Sequence, residues 1–389
     1  MLRNLILTIG TSVLVVVANL ASAQTDGIYF AAHHDYRVVP VAEGLVQPWS
    51  MAWLPDGDML VTEKPGRLRI VRDGRLLPEA VPGVPEVFYN GQGGLFEVVP
   101  HPSFADNRWV YLSYSRAEGD GSVTAISRGR LENDRLSNVV EIFAAKAEGR
   151  AGHYGGKIVF DNAGYMFLTL GDRQAPSTGD LTRHPAQDLT NHNGVIVRLH
   201  DDGRIPDDNP FAGRSDALPE IWSYGHRSPQ GLVIHPMTGD LWMTEHGPQG
   251  GDELNHIEPG NNYGWPVNGF GVNYVSGSPI HGNTTSTDSE RPTYFWVPSI
   301  AASGLMVYTG DKFPMWRGSI FAGGLAGEKL ARIQLTADYR EVVLEETLAY
   351  DMGRIRDVRQ GPDGYIYLAI SDRTGQPTSP AVVRLEPLE

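Results

Sequence analysis

Two glycine- and proline-rich turns carry residues whose types could support chemistry. The first lies in SYGHRSPQG, Ser223–Gly231, where His226 and Arg227 stand side by side in a chain that is otherwise acidic. The second lies in EHGPQGGDE, Glu245–Glu253, and one predicted hairpin separates the two. Because a hairpin returns the chain to the end at which it started, both turns are expected at one end of one blade of sheet. The first turn then brings a fixed cation, Arg227, close to the second.

The second turn combines two kinds of oxygen ligand. Backbone carbonyls at Gly247 and Pro248 are followed by the acids Asp252 and Glu253. Oxygen ligands of these kinds are the ones that a hard cation such as calcium prefers. The pattern favours a calcium site, but an acidic pair in a turn is also typical of solvated contacts, and both interpretations stay open.

A third candidate is a histidine in a glycine-flanked loop. The stretch AGHYGGKIVFDNAGYMFLTLGDR places His153 between Gly152 and Gly155, just before one predicted strand, and Asp172 just after the next. A loop histidine of this kind is approachable, as a general base must be. Most of the 12 histidines are expected to be surface or packing residues, and that alternative applies to His153 as well.

Two arginines form the fourth candidate. DMGRIRDV places Arg354 and Arg356 two residues apart on a predicted strand, so both side chains project from the same face. Two guanidinium groups on one face suit a ligand with several carboxylates. Pairing with acids such as Asp357 would instead make the arginines structural. The stretch GQGG, Gly91–Gly94, opens another strand and by itself indicates only a turn.

A repeated pattern predicts the elements that must position these residues. A turn with Gly, Asp or Pro, then a short strand of aromatic and β-branched residues, then a polar turn, recurs about six times at intervals of 46 to 78 residues. The repeated strands begin near Met59, Trp109, Tyr165, Leu241, Ser319 and Tyr365. Such intervals fit four-stranded blades with insertions, and amphipathic helical periodicity is almost absent. The sequence therefore predicts an all-β fold, a β-propeller of four-stranded antiparallel blades.

The two ends of the repeat indicate how such a ring would close. A strand around Tyr36–Val41 is expected to pair with the C-terminal PAVVRLEP, which leaves no free sheet edge. Two packed β domains would also suit the length, but the pattern shared from Leu54 to Asp372 favours one ring. Residues 24–389 are accordingly expected to form a single β-propeller catalytic domain.

Composition excludes several classes of function. The 389 residues carry a formal net charge of −14, which argues against nucleic acid or an anionic membrane surface as a partner. The absence of cysteine excludes disulfides, thiolate metal sites, iron–sulfur clusters and covalently attached c-type haem. Redox chemistry would therefore need a non-covalent cofactor. No GxSxG, HExxH, P-loop or βαβ GxGxxG motif supports other common reactions.

The first 23 residues resemble a secretory signal peptide. Arg3 is followed by an apolar run from Leu5 to Leu20 and by Ala21–Ala23, the small-x-small pattern that signal peptidase cleaves. The mature chain is expected to start after Ala23, to be exported to the periplasm and to have no membrane anchor. A retained membrane anchor is the alternative.

Five motifs, in order, resemble the soluble pyrroloquinoline quinone (PQQ) dependent sugar dehydrogenases, especially their aldose sugar dehydrogenase branch. They are GQGGLFEVVPHPSF, HYGGKIVFDNAGYMFLTLGD, SYGHRSPQG, EHGPQGGDELN with NNYGWP, and GRIRDV. The resemblance spans nearly the whole mature chain. It implies a six-bladed propeller that binds PQQ and calcium on one face and oxidises aldoses at the anomeric carbon to lactones.

The resemblance also implies roles for individual residues. His153 corresponds to the base that removes the proton of the anomeric hydroxyl, and Asp172 to an acid near that base. Arg227 corresponds to the catalytic cation beside the quinone oxygen, where it would stabilise developing charge. His226 is expected only to anchor its turn.

Cofactor and metal positions follow from the same resemblance. Those implied to bind PQQ are Gln92, Arg227, Ser228, Leu325, Ala326, Gly327, Arg354 and Arg356, with the two last arginines facing the carboxylates of the cofactor. The carbonyls of Gly247 and Pro248 match the ligands of the calcium that polarises the quinone. Glu253 and Tyr263 match a second, structural calcium site, Tyr263 through its backbone oxygen.

Several positions depart from the glucose dehydrogenase branch of that family. Ser228 replaces an asparagine, His246 a glutamine, and Gly152 an aspartate. The cofactor-binding lysine of that branch aligns with Ala326, and Lys329 lies nearby but out of register. Cofactor contacts in the loop Leu325–Gly327 are therefore expected from the backbone, and sugar preference cannot be inherited.

Two other functions fit parts of the pattern. A calcium-dependent propeller hydrolase, such as a lactonase, would need calcium, His153 and acids but leaves Arg227 and the arginine pair unexplained. A propeller that only binds a sugar or a protein is the other. For the dehydrogenase, the partners are an aldose and a diffusible electron acceptor, and the chain is expected as a monomer or homodimer.

Overall fold

Six antiparallel sheets of four or five strands and one two-stranded sheet make up the structure, a computed structural model that describes residues 27–147, 149 and 151–388. The predicted signal peptide, residues 1–23, lies outside the described residues. No helix in the described part is long and apolar enough to cross a membrane. The helices found there are one α-helical turn and three 3₁₀ turns: Phe104–Asn107, Leu181–Arg183, Pro185–Gln187 and Pro314–Trp316.

The sheets are numbered here as blades 1 to 6 in chain order, and the strands of each are given from the inside outwards. Blade 1 has Pro48–Trp53, Met59–Glu63, Arg67–Arg72 and Arg75–Leu76. Blade 2 has Leu95–Pro100, Trp109–Glu118, Gly121–Glu132 and Arg135–Ala144. Blade 3 has Ile158–Phe160, Met166–Leu170, Val195–Leu199 and Ile221–Tyr224.

Blades 4 to 6 follow the same plan. Blade 4 has Pro229–Ile234, Leu241–Glu245, Asp252–Ile257 and Tyr294–Trp296. Blade 5 has Ala302–Val307, Ile320–Gly324, Leu330–Leu335 and Val342–Leu348. Blade 6 has Arg354–Gln360, Ile366–Ser371, Val382–Pro387, Tyr36–Ala42 and Ile28–Tyr29. Leu45–Val46 pairs with Pro377–Thr378 outside the blades.

The innermost strands show that the blades form a closed ring. The inner strand of every blade contacts that of the next, and the inner strand of blade 6 contacts that of blade 1. The all-β, six-bladed propeller predicted from the sequence is confirmed. Blade 6 differs in having five strands, because Ile28–Tyr29 adds to the edge of Tyr36–Ala42.

Ring closure joins the two ends of the described chain. Tyr36–Ala42 pairs antiparallel with Val382–Pro387, as predicted, so blade 6 contains strands from both ends. The buried side chain of Tyr36 reinforces the junction, because its hydroxyl accepts a hydrogen bond from the N–H of Ala349 at 2.7 Å. Its ring also packs edge-on against Trp316.

The hydrophobic core lies between the blades, and this explains the sequence of the strands. A separate apolar cluster fills each of the six spaces between neighbouring blades. In blade 3, for example, Met166 and Leu168 face blade 2, whereas Phe167 between them faces blade 4. Since side chains alternate across a strand, both faces are buried and the second strands read as continuous apolar runs.

A buried ion network ties the inner strands together around the channel. The Nζ atom of Lys157 lies 2.8 Å from a carboxylate oxygen of Glu97 and 2.8 Å from one of Asp357. Arg359 binds the same two carboxylates. Two cations thus balance two anions, as buried charges require. Blade 2 contributes Glu97, blade 6 contributes Asp357 and Arg359, and the turn before blade 3 contributes Lys157.

Candidate active site

One end of the ring collects the predicted site residues. The start of an inner strand and the end of the second strand lie at the same end of an antiparallel blade. Gln92, His153 and Arg227 precede the inner strands of blades 2, 3 and 4, and Arg354 begins that of blade 6. Asp172, Gly247 and Ala326 follow second strands of blades 3, 4 and 5. The fold therefore brings together residues as far apart in the chain as Gln92 and Arg354, which are separated by 262 positions.

His153 is held in a tightly packed turn. Its backbone has a left-handed conformation with φ of 47°, which is uncommon for a residue other than glycine. Its N–H donates to Oε1 of Gln92 at 2.8 Å. Gly171 approaches the other side so closely that a Cβ there would lie 2.2 Å from the His153 carbonyl oxygen. Strain of this kind persists only where surrounding contacts impose it, and it is common at functional sites.

Asp172 orients the imidazole of His153. Its Oδ1 atom lies 2.6 Å from Nδ1 of His153 and also accepts the N–H of Gln174 at 2.9 Å. Its Oδ2 atom accepts the indole N–H of Trp265 at 2.7 Å. The carboxylate, which is buried, therefore meets three donors and has its position fixed.

The charges around this pair determine which nitrogen can act as a base. Burial alone would raise the pKa of Asp172, but the contact with His153 and the charge of Arg227 outweigh it and hold that pKa below its usual range. An ionised carboxylate only accepts, so Nδ1 of His153 carries the proton and Nε2 keeps its lone pair. Burial lowers the pKa of His153 more than Asp172 raises it, and Arg227 adds to the lowering. The imidazole is thus neutral at neutral pH.

Arg227 is held between the turn that carries Asp172 and the turn that carries Gly247. Its Nη1 atom donates to the carbonyls of Gly247 at 2.7 Å and His246 at 3.1 Å. Its own carbonyl accepts the N–H of Asp172 at 2.8 Å, and its guanidinium lies 5.1 Å from the ring centroid of Trp265. The arginine therefore joins the Asp172 turn to the Gly247 turn.

His226, its neighbour, has a structural position. It is fully buried, with Nε2 2.9 Å from the Ser223 hydroxyl and Nδ1 3.2 Å from Glu245, and it stacks on Tyr263. These contacts anchor the turn and leave the side chain no access to a ligand.

A cavity of about 550 Å³ opens at the same end of the ring. Its lining includes four cations, Lys64, Arg354, Arg356 and Arg373, and one acid, Asp372. This space is called the cationic cavity below. A volume of this size suits a cofactor-sized ligand.

The cations of this cavity are not neutralised by protein acids. Among the described residues, none of the four has a carboxylate oxygen within 4 Å. Arg354 donates to the carbonyl of Leu325 at 2.8 Å, and Arg356 to Oε1 of Gln230 at 3.0 Å. Burial, and then the charge of Arg354, lowers the pKa of Arg356 to about 10.

Asp357 is occupied elsewhere, which bears on the alternative raised by the sequence. Its carboxylate binds Lys157 and Arg359 in the channel network. A bulge at Arg356 in the inner strand of blade 6 separates the side chains of Arg354 and Arg356 from that of Asp357. The arginine pair thus faces the cavity, and the acid next to it faces the channel.

A second cavity of about 480 Å³ adjoins the first. His153, Asp172, Gln174, Arg227, Trp265 and Tyr274 contribute to its lining, and it is called the histidine cavity below. Gln92 and His246 line both cavities and so mark their junction. Burial and the charges of Arg356 and Arg227 lower the pKa of His246 to about 3, which keeps this junction residue neutral.

The predicted metal ligands surround a third, much smaller cavity. Gly247, Pro248, Glu253 and Tyr263 line a space of about 20 Å³, together with Glu245. Glu245 and Glu253 stand directly opposite each other on neighbouring strands of blade 4. Burial, and then the charge of Glu245, raises the pKa of Glu253 well above its usual range. A buried and a half-buried carboxylate face to face are unfavourable unless a cation or a proton lies between them.

The other predicted ligand groups differ in how available they are. The carbonyl of Gly247 accepts from Arg227, and the Tyr263 hydroxyl is used by backbone groups of blade 4, so that only the backbone oxygen of Tyr263 could serve. Asp252 is buried and accepts from Ser299, Ala302 and Gly247; it is not a solvated turn residue. Within the described residues, no group of three or more His, Asp or Glu side chains could hold a metal.

The remaining predicted cofactor positions lie beside the cationic cavity or behind its wall. Leu325 and Ala326 line it. The N–H groups of Leu325, Ala326 and Gly327 donate to the carbonyls of Ala301 and Ile300, so this loop can offer a ligand only carbonyl or van der Waals contacts. Ser228 is buried, and its hydroxyl accepts from Gln230 at 3.4 Å, so that it contacts a lining residue.

Several lining residues were not predicted from the sequence, and four of them show why. Gln230 belongs to SYGHRSPQG and Trp265 to NNYGWP, so both lie in motifs that already pointed to the site. Gln174 lies two residues after Asp172, and its amide occupies the space that a side chain at Gly152 would take, since a Cβ there would lie 2.4 Å from it. Lys64, in TEKPG, has no local signal because only closure of the ring brings it to the site.

Comparison with known proteins identifies the family. The family model for glucose/sorbosone dehydrogenase matches residues 45–383. The chain is 41% identical over 355 residues to aldose sugar dehydrogenase YliI of Escherichia coli (strain K12), covering 89% of this chain and 93% of that one.

Solved structures agree with this match. A crystal structure of a glucose dehydrogenase is 43% identical with a TM-score of 0.82, over 90% of this chain and 99% of the other. The PQQ-bound aldose sugar dehydrogenase of Streptomyces coelicolor is 27% identical with a TM-score of 0.71, over 91% of this chain and 98% of that one. The chain therefore belongs to the glucose/sorbosone dehydrogenase family, and the predicted enzyme class, a sugar dehydrogenase, is confirmed with it.

Proposed function

We propose that this protein oxidises aldoses at the anomeric carbon to lactones, with PQQ as cofactor. The observation that carries the proposal is the pair of cavities that meet at Gln92 and His246. One holds four unneutralised cations, and the other holds a neutral histidine oriented by an ionised carboxylate. The Streptomyces coelicolor relative, which binds PQQ, and the aldose dehydrogenase relative support the assignment of the two ligands.

The cationic cavity fits PQQ in charge and shape. PQQ is a flat tricarboxylic acid, and four cations against one acid leave three positive charges in the lining. Arg354 and Arg356 would bind carboxylates through their forked donors, and Gln92 and Gln230 offer amides. Trp49 and Phe96 line the same space and suit the faces of an aromatic ring system. Ser228 would act on the cofactor through Gln230.

The reaction needs a base, and His153 supplies it. When bound, PQQ provides a quinone that accepts the hydride of the anomeric carbon. An aldose in the histidine cavity would place its anomeric hydroxyl at Nε2 of His153, which takes the proton because Asp172 holds Nδ1–H on the opposite side of the ring. Asp172 also stabilises the imidazolium that forms. Arg227, between the histidine cavity and the Gly247 turn, would stabilise negative charge at the junction.

Calcium is part of the same proposal. The 20 Å³ cavity has room for about one ion or water, and its carboxylates and carbonyls are oxygen donors of the type that calcium takes. Glu253 and the backbone oxygen of Tyr263 would hold a structural ion. Gly247 and Pro248 would hold a cofactor-side ion through their carbonyls.

The cellular setting follows from the sequence. The signal peptide predicted for residues 1–23 would direct residues 24–389, as one catalytic domain, to the periplasm. Since the chain has no cysteine, it cannot attach a c-type haem by thioether bonds, and the electrons would pass to a diffusible acceptor.

Reconstitution tests the proposed function. Purified protein is loaded with PQQ and calcium, and reduction of a redox dye is followed with a panel of mono- and disaccharides. We expect aldose-dependent reduction only when PQQ is present. His153→Ala should lose at least about 100-fold in kcat, whereas His33→Ala, which changes an exposed histidine, should not. Ester or lactone cleavage with calcium alone would instead identify a hydrolase, and full dye reduction by His153→Ala would exclude His153 as the base.

A further inference from the structure

Lys64 is a cation of the cavity that no motif assigns. It follows the second strand of blade 1, and two backbone hydrogen bonds hold it, from its N–H to Gln47 and from the N–H of Leu95 to its carbonyl. Gly94 makes this packing possible, because a Cβ at that position would lie 2.1 Å from the Lys64 carbonyl oxygen. The backbone beneath the side chain is therefore fixed between blades 1 and 2.

The ammonium group of Lys64 has free donors. Nζ donates to the carbonyl of Gly91 at 2.8 Å and lies 5.5 Å from the ring centroid of Tyr89. Within the part of the chain that the structure describes, no carboxylate oxygen lies within 4 Å of it. An ammonium has three N–H donors, so two remain for a ligand. Burial, and then the charge of Arg356, lowers the pKa of Lys64 to about 8, as expected of a cation that lacks an anion.

The other lysine near the cofactor loop cannot take this role. Lys329 donates to Glu345 at 2.9 Å and to the hydroxyl of Thr347 at 3.1 Å, both on the outer strand of blade 5. It does not line the cationic cavity. Ala326, at the position where the glucose dehydrogenase branch has its lysine, does line it, so the wall contributed by blade 5 lacks a cation at that place.

We infer that Lys64 is a cofactor-binding residue of this chain, supplying from blade 1 the ammonium group that Ala326 cannot supply from blade 5. Its ligand is a carboxylate or quinone oxygen of PQQ bound beside Arg354 and Arg356. The inference rests on the proposed function, since it assigns a residue to the same cavity. It explains why a cation is held half-buried without an acid, a state that costs free energy until an anion arrives.

Affinity measurements with apo-protein form the first test. Binding of PQQ is followed by quenching of tryptophan fluorescence, since Trp49 lines the cavity. Lys64→Met should raise the Kd about 10- to 100-fold, the loss expected for a hydrogen bond to a charged group, and Lys64→Arg should recover most of it. Lys329→Met is the matched control and should bind as wild type.

Chemical protection of the wild-type protein forms the second test and does not depend on the folding of a variant. The chain has five lysines, Lys64, Lys146, Lys157, Lys312 and Lys329, so each is followed separately by peptide mass spectrometry after reductive methylation. PQQ should protect Lys64 and leave Lys312 and Lys329 modified at unchanged rates. This inference alone is overturned if wild-type protein binds PQQ without protection of Lys64 and Lys64→Met binds PQQ with wild-type affinity. Wild-type protein that does not bind PQQ overturns the proposed function and this inference with it.

Discussion

The substitution Asp172→Asn tests the arrangement around the base with almost no change in shape. In the native structure the two carboxylate oxygens face three donors, Nδ1–H of His153 and the N–H of Gln174 at Oδ1, and the indole N–H of Trp265 at Oδ2. An asparagine has one acceptor oxygen and one NH₂ group at these places. It therefore cannot satisfy all three donors in either orientation.

Each orientation of the substituted amide fails in a different way. With its oxygen toward His153, the NH₂ group faces the indole N–H of Trp265, and two donors oppose each other. With its oxygen toward Trp265, the NH₂ group faces His153, whose Nδ1 must then accept, so that the proton moves to Nε2 and the base is lost. Either arrangement also removes the negative charge that stabilises the imidazolium.

The size of the effect follows from these losses. A positioned general base contributes about 10²- to 10⁴-fold to rate, so Asp172→Asn should lower kcat by about that factor. One buried donor left unsatisfied costs about 1–3 kcal/mol, which is the loss of unfolding free energy that we expect. PQQ affinity should not change, because Asp172 does not line the cationic cavity.

Steady-state dye reduction at saturating aldose measures kcat, and tryptophan fluorescence measures PQQ binding. Asp216→Asn is a suitable control, because Asp216 is exposed and pairs with Arg214 on the surface. Wild-type kcat in Asp172→Asn would refute the role of the carboxylate in setting the tautomer of His153. A loss of PQQ binding equal to the loss of kcat would instead show a general disturbance of the site.

Three further predictions concern pH, specificity and metal. Because burial lowers the pKa of His153 more than Asp172 raises it, the base is lost only when the imidazole is protonated in acid. The acid limb of kcat/KM should therefore have its midpoint below that of a free imidazole, and a midpoint above that of a free imidazole would contradict a buried His153. In Gly152→Ala the new Cβ would lie 2.4 Å from the Gln174 amide and displace it from the histidine cavity. We expect KM for aldoses to rise several-fold with a smaller change in kcat. An unchanged KM would show that Gln174 does not contribute to substrate binding. Excess calcium should raise the Tm of chelator-treated apo-protein by a few degrees, because the ion relieves the repulsion between the carboxylates of Glu245 and Glu253. The Glu253→Gln variant should show little of this rise in Tm. A rise equal to that of the wild type would place the ion elsewhere.

The fold was predictable because every blade repeats one local pattern. The expected second strands begin at Met59, Trp109 and Leu241 as predicted and one residue later in the other three blades. Burial on both faces made these strands apolar and easy to recognise. The edge strand Ile28–Tyr29 was not predicted, because two residues at a sheet edge carry no pattern.

The site was predictable where motifs follow the chain and unpredictable where the ring assembles it. His153, Asp172 and Arg227 stand in unusual glycine- and proline-rich turns, and the structure brings them together. Lys64 stands in a common turn, and its place beside Arg356 depends on contact between blades 1 and 6. The contact of Gln174 with Gly152 depends on two turns meeting, which spacing alone does not encode.

The way the ring closes determines when the site can exist during biosynthesis. Arg354 and Arg356 lie on the inner strand of blade 6, but that blade is completed by Val382–Pro387 and by Tyr36–Ala42 from the other end of the chain. A nascent chain in which Val382–Pro387 cannot yet pair lacks a complete blade 6 behind these arginines, even if blades 1 to 5 have folded. We therefore expect cofactor capture to follow the synthesis of Val382–Pro387. If the chain is exported unfolded, the cofactor is acquired in the compartment where folding ends.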